Sequence, residues 1–207
     1  MPITIKRFVA GPVETNCFVV FNGKPACCVV DPSSGCDEIL AYIRGESLNV
    51  SAILLTHAHF DHCMGIEEIK EQFPDATVWV HPDEIRLLTT PHYNGSPMVG
   101  VHYSYTGPVR ELHEGELVFD DITLTVLPVP GHSPGGCAFV LEDYCLPGDA
   151  LFAGSIGRTD FTGGNFEQLI TNIKTRLFAL PDETIVFPGH GNRTTIGREK
   201  HRNPFLQ

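Results

Sequence analysis

Four ligand-type side chains fall within six residues: His57, His59, Asp61 and His62 follow directly on Leu54-Leu55-Thr56, the end of a strongly apolar run. Imidazole and carboxylate together favour zinc, iron or manganese over calcium or magnesium. The alternating spacing lets His57 and His59 point to one side of an extended segment while Asp61 and His62 turn toward a second ion, so one short motif can serve two metals. A lone His is ordinarily exposed or hydrogen-bonded. Four such residues side by side are different, because burying several titratable groups with no ion to compensate them is costly. Three further positions share the setting, each after an apolar run: His132 in Val129-Pro130-Gly131-His132-Ser133-Pro134-Gly135, Asp149 in Leu146-Pro147-Gly148-Asp149, and His190 in Phe187-Pro188-Gly189-His190-Gly191. The neighbouring glycines let the backbone turn sharply and come close to an ion.

These residues need strand ends to present them, and the sequence supplies such ends. β-rich runs at Ile3–Val9, Cys17–Phe21 and Cys27–Val30, separated by Gly11-Pro12 and Asn22-Gly23, predict a meander. Then the periods alternate: a helix over Cys36–Ile43, a strand over Ser51–Leu55, a helix over Cys63–Phe73, a strand over Thr77–Val80 and a short helix over Asp83–Leu88. Thr89–Val109 has no clear period and is rich in Gly, Pro, Tyr and Ser, which marks it as a lid candidate. Strands return at Glu116–Phe119, Ile122–Leu127, Cys137–Leu141 and Tyr144–Leu146. An apolar stripe of Phe166, Leu169, Ile170, Ile173 and Leu177 then predicts a helix, N-capped by Asn165 and stopped at Pro181. A last strand, Thr184–Phe187, delivers His190. Two halves, each running strands, helix, strand, predict an α/β fold of two sheets packed together under outer helices. In α/β sheets ligands bind outside the carboxyl ends of strands, which is where the ligand-type residues fall.

At 207 residues, one sizeable core and a single domain are expected. Apolar residues at 42% and charged residues at 19% exclude a disordered composition. A net charge of −11 argues against a phosphate-tracking surface, so no nucleic-acid partner is expected. The first residues lack the basic start and apolar run of a secretory signal, and no apolar run approaches the roughly 20 residues of a membrane span. A soluble, cytoplasmic protein with no membrane partner is expected. Seven Cys without a paired spacing suggest neither a disulfide framework nor a thiolate zinc ribbon, but buried free thiols.

The ordered set of Asp31, the His57–His62 block, His132, Asp149 and His190 resembles the five sequential motifs of the metallo-β-lactamase superfamily, over nearly the whole chain. The resemblance implies a four-layer αββα sandwich over residues 1–207. It implies that His57, His59 and His132 bind one metal, that Asp61, His62 and His190 bind the other, and that Asp149 bridges them. Two divalent ions, zinc first and iron or manganese next, would lower the pKa of a shared water toward about 7 and give a hydroxide nucleophile. Asp61 would also orient it. Asp31 would support the site from behind, although an Asp before Pro32 is also a common turn starter.

Within the superfamily the chain is most similar to glyoxalase II, the hydroxyacylglutathione hydrolase, particularly its short bacterial relatives. The segments concerned are Thr56–His62, Gly148–Phe152 with Gly154–Phe161, and the tail from Thr194–Gly197 through Asn203–Leu206. This implies a small thioester substrate, whose thiolate leaves with little need of a general acid, and a carboxylate-binding role for Arg158. The similarity has two departures. The sequence runs only 17 residues past His190, short of the helical domain that completes the glutathione pocket in longer enzymes, and Thr159 and Asp160 stand where aromatic contacts are expected. The lid candidate could substitute through Tyr93, Tyr103 and Tyr105. Gly157–Phe161 also resembles the persulfide dioxygenases of the superfamily, which would hold a single iron on part of the same positions. A non-catalytic metal clamp is disfavoured because closed structural zinc sites use mostly Cys. A true β-lactamase is disfavoured by the Arg158 region and the tail. His81, His92, His102, His113 and His201 match no motif.

Overall fold

The computed structural model describes residues 2–207. The alternating amino-terminal runs form an antiparallel meander of β1 (Thr4–Ala10), β2 (Thr15–Phe21) and β3 (Ala26–Val30). From β3 the pairing becomes parallel through β4 (Asn49–Leu54), β5 (Thr77–Val80) and β6 (Val109–Glu111), completing a six-stranded sheet in sequence order. Parallel neighbours need crossovers. These are α1 (Asp37–Gly45), then α2 (Phe60–Cys63) with α3 (Ile66–Gln72), then a longer excursion carrying α4 (Ile85–Thr89) and α5 (Pro91–Asn94).

The second sheet opens with another antiparallel meander, β7 (Gly115–Phe119), β8 (Ile122–Pro128), β9 (Cys137–Leu141) and β10 (Tyr144–Leu146). A small hairpin, β11 (Leu151–Phe152) and β12 (Ser155–Ile156), and helix α6 (Phe166–Thr175) follow. The chain re-enters with β13 (Ile185–Val186), parallel to β10, and β14 (Thr194–Thr195), antiparallel to β13, and α7 (Ile196–Arg202) follows. The spatial order is β14-β13-β10-β9-β8-β7.

The two-residue period of the strands sorts their side chains into three cores. Cys17, Val19, Cys27, Val29 and Ile53 face Ile39, Ile43, Ile66 and Ile69 of the helices outside the first sheet. The alternate residues Phe18, Val20, Cys28, Val30 and Leu54 meet Leu124, Val126, Phe139 and Leu141 between the sheets. On the far side of the second sheet, Ala138, Cys145 and Val186 pack on Leu169, Ile173, Leu177 and Ile196. The result is the expected four-layer αββα sandwich, and strands buried on both faces explain the near-continuous apolar runs at β2 to β4.

Three local expectations change. The helix expected over Cys63–Phe73 begins only at Ile66, as α3, separated from the preceding α2 at Gly65, which sits against the β3–α1 loop: its N–H donates to Pro32 O, and a Cβ there would lie 2.3 Å from Ser33 O. Phe166 is exposed, one step off the i, i+4 row of Leu169, Ile173 and Leu177 that carries the stripe. Segment 89–109 is folded and held down: Asn94 Nδ2 donates to Tyr103 O, the Tyr103 hydroxyl donates to Cys63 O, and Tyr105 is buried. Asn165 caps α6 as expected, accepting from the Gln168 N–H at 3.0 Å. All seven Cys are buried and unbonded, with burial pushing the Cys17 and Cys145 thiols up to about 12. Among the described residues no helix is long and apolar enough to cross a membrane.

Phe139 is fully buried between the sheets. Its replacement by Ala should cost about 3–5 kcal/mol of stability, read as a lowered denaturant midpoint with an unchanged slope.

Candidate metal centre

Four loops leave the carboxyl ends of β4, β8, β10 and β13 along one rim of the sandwich, and they carry the ligand-type residues His57–His62, His132, Asp149 and His190. The rim is stitched across the two sheets by Asn16 of β2. Its N–H donates to Gly189 O at 2.7 Å, and its Nδ2 donates to Pro188 O and Gly191 O at 2.8 and 3.0 Å.

The nitrogens of His57, His59 and His132 converge. His59 Nδ1 stands 2.9 Å from His132 Nε2, which stands 3.3 Å from His57 Nε2. Their tautomers follow from the groups behind them. His132 Nδ1–H donates to Arg158 O at 2.7 Å, which leaves Nε2 bare. The Thr56 hydroxyl donates to Asp31 Oδ2 at 2.6 Å and therefore accepts from His57 Nδ1–H at 3.1 Å, again leaving Nε2 bare. The bare Nε2 atoms of His132 and His57 face one another across 3.3 Å and cannot bond to each other, an arrangement suited to a cation between them.

The second group lies beside it. His62 Nε2 is 3.2 Å from Asp61 Oδ2 and 3.3 Å from Asp149 Oδ1, and His190 Nε2 is 3.2 Å from Asp61 Oδ2. Asp149 stands between the groups, its Oδ2 3.8 Å from His132 Nε2 and 3.5 Å from His190 Nε2. His62 Nε2 and Asp149 Oδ1 are buried with no hydrogen-bond partner, as expected of atoms that hold an ion. His62 Nδ1–H donates to Asp31 Oδ2 at 3.0 Å, and the Thr15 hydroxyl donates to Asp61 Oδ2 at 2.8 Å. Asp31 thus does both things the sequence left open: it turns the chain with φ +51° and it orients His62 and, through Thr56, His57. The glycine beside His190 is required by contact, since a Cβ at Gly189 would lie 2.1 Å from Asp149 Oδ1.

Electrostatically the groups differ. Burial, reinforced by His neighbours, pushes His57 well below its ordinary range, and burial drives His59 down to about 3. His132 is lowered by burial as well. For His62 burial also acts downward, but Asp61, Asp149 and Asp31 outweigh it and hold the imidazole well above 6.5. Burial likewise opposes the rise at His190, which Asp61 and Asp149 carry. The first group therefore favours neutral imidazoles and the second protonated ones, so that a metal binding at the second would release protons.

The centre opens into a cleft of about 590 Å³ with apolar walls from Val13, Phe60, Met98, Val99, Phe152, Ile156 and Phe161. Arg158 lies on the rim, its Nε and Nη2 forked onto Asp160 at 2.7 Å each and its guanidinium 3.8 Å over the Phe161 ring. Of segment 89–109 only Met98 and Val99 line the cleft; Tyr93 stacks on Arg86, Tyr103 is spent on Cys63 O and Tyr105 is buried, so the three tyrosines are not placed to meet a ligand. Sequence reasoning missed Thr15 and Glu84, which touch the site only through long-range hydrogen bonds. It also missed the β11–β12 hairpin, whose two-residue strands carry no readable period.

The profile of the metallo-beta-lactamase superfamily matches residues 10–190. A Bacillus subtilis protein named "Probable metallo-hydrolase YqgX" is 38% identical over 205 residues, covering 97% of this chain and 96% of its own. A Haemophilus influenzae protein named "Hydroxyacylglutathione hydrolase GloC" is 33% identical over 202 residues, 93% of each chain. Among solved structures, "BLEG-1 B3 metallo-beta-lactamase" superposes with a TM-score of 0.94 at 36% identity, covering 99% of this chain and all of that one. "TTHA1623 in a di-iron-bound form" superposes at 0.86 with 37% identity, covering 97% of this chain and all of that one.

Calorimetric zinc titrations in two buffers of different ionisation enthalpy should show that one of two binding events releases protons. Its affinity should fall as the pH drops through the raised His62 and His190 values, while the event at the neutral histidines stays flat near neutrality. Buffer-independent heats for both events would contradict this. Asp149→Ala should lose one or both ions with an unchanged far-ultraviolet circular dichroism spectrum, checked by metal analysis.

Proposed function

The chain belongs to the metallo-beta-lactamase superfamily, and we propose that it is a metal-dependent hydrolase of thioesters of the hydroxyacylglutathione type. His57, His59 and His132 would hold one divalent ion, Asp61, His62 and His190 the other, with Asp149 shared; zinc is the first choice. When bound, two such ions supply a Lewis acid and bring the ionisation of a water toward about pH 7.

The observation that carries the thioester reading is the make-up of the cleft. Its titratable lining is the donor set itself, His59, Asp61, His132, Asp149 and His190, plus Arg158. A leaving alkoxide or amine needs a proton in the transition state, and among the described residues no uncommitted acid lines this cleft. A thiolate, whose parent thiol ionises at about 8.5, leaves without one. The similarity to a hydroxyacylglutathione hydrolase over 93% of the chain supports the same class. The chain's own residues then divide the work. Asp61, its Oδ2 held by Thr15, keeps Oδ1 to accept the proton of the attacking water. The apolar walls exclude bulk water around the acyl group. Arg158 receives a substrate carboxylate at the rim once that carboxylate takes the place of Asp160.

A second hydrolytic reading draws on the solved B3 metallo-beta-lactamase, and a redox reading, a mononuclear iron persulfide dioxygenase, draws on the resemblance of Gly157–Phe161. One experiment separates the three. Initial rates of S-lactoylglutathione hydrolysis are compared for zinc-restored and chelator-stripped protein, beside a chromogenic β-lactam and oxygen uptake with glutathione persulfide. Chelator-sensitive thioester turnover that exceeds the β-lactam rate supports the proposal. Faster β-lactam opening, or a single iron with oxygen uptake, would overturn it. For the rim, Arg158→Ala is expected to raise KM severalfold with kcat nearly unchanged, and Asp160→Asn to lower KM, as expected for a site that binds the substrate without touching its reacting atoms.

A further inference from the structure

Glu84 is a buried carboxylate that the chemistry above does not use. It ends the 3₁₀ turn Pro82–Glu84 after β5, is fully excluded from solvent, and has no cationic partner among the described residues. Both its oxygens go to backbone donors. Oε2 accepts the Ala58 N–H at 2.8 Å, and Oε1 accepts the Gly135 N–H at 2.6 Å. Ala58 stands between His57 and His59, on the loop after β4 of the first sheet. Gly135 lies in the loop that carries His132, between β8 and β9 of the second sheet.

We propose that Glu84 is a positioning residue that clamps the His57–Ala58–His59 loop to the His132 loop, so that the three imidazole nitrogens meet at one metal. The inference rests on the metal reading of this centre. Burying an unpaired carboxylate is expensive, and burial raises the Glu84 pKa. A fold that keeps it there gains what only a carboxylate offers: two acceptor oxygens, both able to take an N–H. A glutamine has one acceptor, and its amide would oppose the second N–H. An aspartate is one methylene short of spanning the two loops. The fit at Gly135 is close, since a Cβ there would lie 2.5 Å from His81 Nδ1 and 3.1 Å from Glu84 Cγ. The loops therefore have little room to settle if the clamp is cut. Asp61, His62 and His190 are braced separately, by Thr15, Asp31 and Asn16.

The test is a cobalt(II) titration of the full chain followed by its visible bands, with equilibrium dialysis for stoichiometry. Wild type is expected to take two equivalents. In Glu84→Gln one equivalent should weaken by about 10–100-fold, the usual effect of removing a group that orients metal ligands, and its bands should change while the other equivalent keeps wild-type affinity. Glu84→Asp should lose the same equivalent, because reach and not charge is what it lacks. Glu68→Gln is the control: Glu68 likewise takes two backbone donors, the Gly35 and Cys36 N–H groups, and touches neither loop. Wild-type isotherms and spectra in Glu84→Gln or Glu84→Asp would overturn the clamp, as would equal weakening of both equivalents or the same loss in Glu68→Gln. A wild-type protein that takes up no cobalt would sink the metal reading itself, and the clamp with it.

Discussion

The structure depends on keeping bare donor atoms of like polarity close together in a buried place. Imidazole lone pairs and carboxylate oxygens repel one another in the absence of a cation, and a chain free to relax would turn them apart or protonate them. Here hydrogen-bonded partners prevent the turning, and burial opposes protonation at His57, His59 and His132. His132 has its far nitrogen fixed on Arg158 O, His57 on the Thr56 hydroxyl and His62 on Asp31, so each ring has one direction and one tautomer. Asp31 does the most of this with one side chain, because Thr56 N–H, Thr56 O–H and His62 Nδ1–H all end on it. Such outer partners commonly set ligand basicity as well as orientation.

The same constraint explains why the site lies on the rim of a two-sheet sandwich. His57 to His62 leave the first sheet, while His132, Asp149 and His190 leave the second. No half of the chain holds either donor group complete, so packing of the inner faces through Phe18, Val20, Leu124 and Phe139 is a condition of the chemistry as well as of stability. Asn16 and Glu84 act where that packing ends: Asn16 joins β2 of one sheet to the loop after β13 of the other, and Glu84 joins the loop after β4 to the loop after β8. Metal affinity and fold stability are therefore linked, since an ion that binds only the assembled rim favours the assembled state.

The donors were legible in the sequence because His132, Asp149 and His190 each follow an apolar strand and a Pro-Gly pair, while His57, His59, Asp61 and His62 crowd together just after an apolar strand. The layer order was legible for a similar reason, since strands buried on two faces and helices buried on one leave different periods. What was not legible is what depends on distance along the chain. Thr15 reaches Asp61 across 46 residues, and Glu84 reaches Gly135 across 51. Neither has a local signal, because a Thr at a strand start and a Glu at a helix start are ordinary. The tail shows the reverse case. Its Asn203 could be marked as part of a family-like segment, but only the structure shows why it is there: its Nδ2 donates to Ser155 O and Glu199, bracing the hairpin that leads to Arg158.

That hairpin bears on selectivity. Arg158 is the cation at the cleft, in a chain of net charge −11, and it is already paired. On the proposed reading, a substrate carboxylate would have to compete with Asp160 for the same fork. The competition is not prohibitive, because the pair is exposed and solvent-screened, and such pairs contribute little. Two other contacts keep Arg158 in place when Asp160 lets go: the guanidinium stacks on Phe161, and the Arg158 carbonyl is the acceptor that fixes His132. The residue that would recognise the thiol end of the substrate is thus tied through its own backbone to a ligand of the metal. Charge at the rim can be exchanged, while the position of the rim relative to the reacting centre cannot. On the proposed reading, selectivity would fall mainly on the apolar walls, and Asp160 would set how strongly an anionic substrate is preferred over a neutral one.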